Sequence, residues 1–183
     1  LLREHAMVFS ACLSFVLGVL AIPLFPLADF AFPREYWIVL YIVSVLATVG
    51  FLLIAKATRH MELSSSSPLF AFGPVITAFL AWLLIHEDLS IMHIFGLALV
   101  VFGSYLLEMR PRKSFFKEIL TPIITIKKSK FIHFMFVALF LYAIGDIVER
   151  FMLNTANPNN LTPITYFLII HIFMAVNFFI LLT

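Results

Sequence analysis

LFAFGPVITAFLAWLLIHEDLSIMHIFGLALVVFGSYLL, Leu69 to Leu107, is two apolar runs joined by a polar turn. The first run carries Pro74 near its middle and stops on His86, Glu87 and Asp88; the second carries Gly96 and Gly103. In a soluble core helix an interior proline costs about 3 kcal/mol through a lost hydrogen bond and a ring clash. Inside a membrane the freed carbonyl can be satisfied by neighbouring helices, hydroxyls or cavity water, so a proline there reads as a helix break beside a polar path. Thr77, one turn on, and Pro74 are therefore candidates to line such a polar path. The serines Ser64 to Ser67 before Pro68 are expected to cap the start of this helix.

The rest of the chain supports a membrane setting. Of 183 residues, 63% are hydrophobic and 12% charged, with mean hydropathy +1.09, against about 45–50% apolar residues in soluble domains. About 20 apolar residues cross a hydrocarbon core of about 30 Å. Runs near that length cover Ala6 to Leu27, Tyr36 to Ala57, Pro68 to Ile85, Ile91 to Leu107, Phe131 to Val148 and Thr162 to Thr183. The expected class is an all-α integral membrane protein with about six transmembrane helices and lipid as its surroundings. The chain starts on Leu1 and stops inside the last run, which reads as a fragment.

The net charge of +2 gives no ground for a nucleic-acid partner. The single cysteine, Cys12, allows neither an intrachain disulfide nor a metal-binding cysteine pair. His86 and His93 are separated by a turn and lack a third ligand, so no metal and no cofactor is expected. From Arg110 to Lys130 the chain concentrates seven of its twelve Lys and Arg, alternating with Phe115, Phe116, Ile119 and Leu120. This reads as a basic interfacial linker between two halves. With alternating spans, those seven and Arg3, Lys56 and Arg59 share one side, opposite Arg34 and Arg150. The positive-inside rule makes the basic side cytoplasmic.

A carboxylate within a membrane span is costly, so Asp146 and Glu149, close to Tyr142, are candidates to bind a proton or a cationic group. His171 and Asn177 join the transport-path candidates because buried polar groups need partners, with interhelical hydrogen bonding as the alternative. Gly96 and Gly103, two turns apart, are expected to pack a helix against a neighbour. Glu87 is expected to cap the following helix, with pairing to Lys56 or Arg59 the alternative.

Pro74, Glu87, Gly96 and Gly103, in this order and spacing and after the link AKATRHMELSSSSPL, resemble the EamA-type repeat of the drug/metabolite transporter superfamily. LLREHAMVFSACLSFVLGVL is similar to that family's second helix, with Arg3 in the place of a frequent arginine. FMFVALFLYAIGDIVERFMLN is similar to the first helix of a second repeat, with Arg150 in the place of a common lysine. The resemblance implies a fragment of a ten-helix bundle built from two inverted five-helix repeats. Residues 1–109 would be helices two to five of the first repeat, 110–130 the linker, and 131–183 helices six and seven. It also implies a secondary transporter for a small metabolite or drug-like solute, working by alternating access, with proton coupling an open option. The protein would lie in the cell membrane and would not be an enzyme. A sensor or accessory subunit is the alternative, and a polytopic membrane enzyme lacks the clustered acids or histidines it would need. The family's arrangement would place the linker outside, against the charge count.

Overall fold

The computed structural model of the protein describes residues 2–61, 66, 69–108, 130–153 and 161–182. These residues are helical without strands, as apolar runs in lipid must be, because only an internally bonded backbone hides its polar groups there. In chain order the helices are α1 (Leu2–Ala21), α2 (Arg34–His60), α3 (Phe72–Ile85), α4 (Ile91–Glu108), α5 (Lys130–Met152) and α6 (Pro163–Leu182). The linker of 110–129, the segment 154–160 and most of the serine run lie outside the described residues.

Local chemistry sets several boundaries. Pro23 and Pro26 cannot donate to an α-helical ladder, and after Ala21 the chain tightens into a 3-10 helix, Ile22–Leu27. Pro33 precedes α2, which runs 27 residues. Thr162 starts α6: its hydroxyl accepts the Thr165 N–H at 3.2 Å, with Pro163 at the first helical position.

The third run departs from expectation. Leu69 and Phe70 are helical, Ala71 forms a turn, and α3 starts at Phe72 with no side-chain cap. Pro74 therefore sits in the first turn of α3, exposed, rather than in a helix interior. An N–H there has no intrahelical partner, so proline forfeits nothing. The ring instead prevents a continuous helix across Phe70, four residues back. Restarting at Phe72 leaves α3 with 14 residues, about 21 Å, short of a hydrocarbon core of about 30 Å. Four stretches have the length and hydropathy to cross: Met7–Leu27, Arg34–His60, Lys130–Met152 and Pro163–Leu182. Pro74→Ala is expected to shift stability by less than about 1 kcal/mol, against about 3 for an interior proline. Thermal melting of the purified protein checks this; a large change would put the proline back in the helix interior.

α5 forms the centre of the bundle, packed against α2 and α3, while α6 packs against α1 and α2. Three buried clusters hold these contacts. Leu40, Val43, Met152, Tyr166 and Ile169 join α2, α5 and α6 at one end. Ala57, Leu69, Ile132, Met135 and Leu139 join α2 and α5 to the approach to α3 at the other. Leu80 and Ala81 of α3 meet Ala143 and Ile147 of α5 between them. Val43 faces Gly145, and Lys56 lies over the Phe134 ring at 4.9 Å, so α2 and α5 run antiparallel. This register puts Arg34, Glu87 and Arg150 at one end of the bundle and Lys56, Arg59 and Lys130 at the other.

Close approach of helices occurs at glycines other than those expected. On α1, Ser10, Ser14 and Gly18 recur every four residues; both serines are buried, and a Cβ on Gly18 would lie 3.7 Å from that of Ala175 on α6. Gly96 and Gly103 meet nothing within 4 Å among the described residues. The expected packing through them is not made, because α4 only leans on α3 across an open apolar groove of about 550 Å³ bordered by Phe72, Val75, Ile94 and Leu97.

Candidate functional site

Tyr142, Asp146 and Glu149 follow one another at i, i+4 and i+7 along α5 and so share one face. Hydrocarbon offers such groups no hydrogen bonds, and each is met from a different helix. On α3, the Thr77 hydroxyl donates to Asp146 Oδ2 at 3.1 Å. From α6, the Tyr166 side chain lies within electrostatic reach of Glu149. From α2, Gly50 lies against the Tyr142 ring so closely that a Cβ would stand 3.1 Å from Cε2. Beyond them Arg150, in the last turn of α5, forms an ion pair with Glu87 on the α3–α4 turn. Asp146 remains exposed despite its bond to Thr77.

Charge on this face is unbalanced. The Arg150 guanidinium is paired with Glu87 and also stands beside Glu149, so the carboxylates of Glu87, Asp146 and Glu149 share one cation among the described contacts. Two carboxylates one turn apart make this face a place of negative potential that attracts a cationic group.

The family model described as the EamA-like transporter family matches residues 1–109. The chain belongs to the EamA-like transporter family. It is an integral, multi-pass membrane protein with a transport role, and no curated protein or solved structure matches it. In this EamA-like protein the match covers α1 to α4, so the polar face of α5 and Tyr166 of α6 lie beyond it.

The structure brings together four of the residues singled out by sequence: Thr77, Tyr142, Asp146 and Glu149. Pro74 is on the same helix as Thr77 but exposed in its first turn. Glu87 pairs with Arg150 rather than with Lys56 or Arg59, and the cap of α4 is Ser90, whose hydroxyl accepts the His93 N–H at 3.3 Å. His171 donates from Nδ1 to the Phe167 carbonyl at 2.8 Å and packs on the Phe167 ring. It therefore stands apart from the α5 face.

Asn177 binds α6 to α2. Its amide donates to Ser44 Oγ at 3.2 Å and Thr48 Oγ1 at 3.3 Å. Those hydroxyls give their own protons to the carbonyls of Tyr41 and Ser44, so the hydrogens and lone pairs match. Asn177→Leu is expected to cost about 0.6–1.7 kcal/mol, the range for hydrogen bonds between membrane helices. The serine and threonine keep their backbone acceptors, so little beyond that is lost. A melting comparison with Ser44→Ala/Thr48→Ala tests this: the two variants should weaken the protein similarly and not additively.

Gly50, Tyr166 and the Glu87–Arg150 pair are neighbours of this face that sequence reading missed. A glycine alone in an apolar run was the available signal for Gly50. Tyr166 resembles any interfacial tyrosine near a helix start.

Proposed function

We propose that the protein is part of a secondary transporter that moves a small solute across the cell membrane by alternating access. Thr77, Tyr142, Asp146 and Glu149 line its path. The carrying observation is the polar face of α5: two carboxylates on a largely apolar helix, one bonded to the Thr77 hydroxyl of α3 and the other beside Tyr166 of α6. Family membership supplies the transport role, and the charge imbalance favours a cationic group on the solute or a coupling proton. No catalytic step is assigned to these residues.

The two-repeat organisation belongs to the same proposal, with residues 1–109 in the first repeat and α5 and α6 opening the second. Its support is the packing of α1 on α6. These would be the second helices of their repeats, and equivalent elements that lie on a two-fold axis pack against each other.

Full-length protein in liposomes tests the reading directly, with a panel of amines, amino acids and anionic metabolites and an imposed proton gradient. Uptake of at least one amine-bearing solute that responds to the gradient is the expected result. Absence of flux for all classes in folded protein would favour a sensor or accessory role.

A further inference from the structure

α3 is fastened to α5 unevenly along its length. Near its start Phe72 packs on Phe136, with ring centroids 5.9 Å apart, and Leu69 just before it belongs to a buried cluster. Midway, Leu80 and Ala81 pack on Ala143 and Ile147, beside the Thr77 to Asp146 hydrogen bond. Past Ala81 this apolar seam stops: Trp82, Leu83 and Leu84 are 50–57% exposed. The chain then leaves the helix at His86, whose φ of 52° is left-handed, and residues 86–90 have no regular structure. Beyond the seam, the Glu87–Arg150 pair ties this end of α3 to α5.

Position gives that tie a meaning. Arg150 is adjacent to Glu149 and one turn beyond Asp146, on the membrane side that carries Arg34. The pair therefore stands between the polar face and that surface. We propose that Glu87 and Arg150 form a gate, which closes the polar face toward the Arg34 side and opens when the end of α3 swings from α5 about its better packed start. The inference rests on reading the α5 face as a solute path.

The physical character of the pair suits such a use. Both side chains are about half exposed, 50% for Arg150 and 41% for Glu87. Charges that keep much of their hydration give up little on separating, whereas a fully buried pair resists being broken. The apolar seam can hold α3 as a pivot because it ends at Ala81, short of the free end of the helix at Ile85. A contact that is inexpensive to break at one end of a helix, with a fixed contact at the other, is a hinge arrangement.

The test uses full-length protein in sealed vesicles, with Cys12→Ser, no other cysteine, and Thr77→Cys as reporter. A membrane-impermeant methanethiosulfonate reagent is applied from each side in turn. Glu87→Gln or Arg150→Gln should accelerate labelling from the Arg34 side about two- to fivefold, the population shift available from an exposed pair. Labelling from the opposite side should not accelerate. The double reversal Glu87→Arg/Arg150→Glu should bring the rate back toward that of the intact pair, which also controls for folding. Equal rates with and without the pair, acceleration from both sides, or a double reversal as fast as the single variants would overturn the gate while leaving the path reading in place. A reporter that stays unlabelled from both sides in every variant would overturn the path reading and the gate with it.

Discussion

Gly50→Leu is expected to push α2 away from α5 and to lower the melting temperature more than Pro74→Ala or Asn177→Leu. Gly50 is buried in the seam between those helices, and a Cβ there would already lie 3.1 Å from Tyr142 Cε2 and 3.4 Å from Cδ2. A leucine carries three further carbons into the same space. Overpacking of this kind costs about 1–3 kcal/mol, occasionally more, a large fraction of a stability of about 5–15 kcal/mol. Gly145, across the same seam, provides the contrast. Its added Cβ would make an ordinary contact of 3.7 Å with Val43 Cγ1, and an alanine there gains about 1 kcal/mol of helix propensity. Gly145→Ala should therefore melt at or above the parent temperature. Tyr142→Ala should recover part of the loss in Gly50→Leu by vacating the space. Fluorescence-detected size exclusion after heating reads all three. If Gly50→Leu matched the parent, or if Tyr142→Ala gave no recovery, the ring would not be what Gly50 accommodates.

Asp146→Asn should leave the fold intact and lower flux. The amide oxygen can still accept the Thr77 hydroxyl, so the α3–α5 hydrogen bond survives. What disappears is charge and the capacity to exchange a proton. A hydrogen bond to a charged group is worth about 1.5–3 kcal/mol, so losing that interaction in the step that sets the rate corresponds to about a ten- to hundredfold fall. The pH dependence of flux should also flatten, because the amide does not titrate in the accessible range. Flux per folded molecule across pH is the measurement. A variant that equals the parent in rate and profile would make Asp146 a fastening for α3 and nothing more.

These two residues differ in how visible they were in the sequence. Asp146 and Glu149 announce themselves, because an ionisable group in an apolar run is costly wherever the run is placed. Gly50 does not, because the absence of a side chain is the same at every glycine until another helix is brought up to it. Gly96 and Gly103 had the more suggestive spacing, yet they meet open space, while Gly18, Gly50 and Gly145 face neighbours. Pro74 shows a related limit. Its cost depends on whether it falls in an interior turn or the first one, and that follows from the break at Ala71.

By itself the sequence determined the membrane class, the apolar runs that form the helices and the resemblance to the family. The first two follow from the length of an apolar run against the thickness of a bilayer, and the third from residues near one another in the chain. Tertiary structure alone decided that Glu87 meets Arg150, 63 residues away, that Tyr166 meets Glu149, that Asn177 finds Ser44 and Thr48, and which glycines lie at a seam. Each of these depends on which helix faces which, and the apolar faces of these helices are too alike for local pattern to select the neighbour.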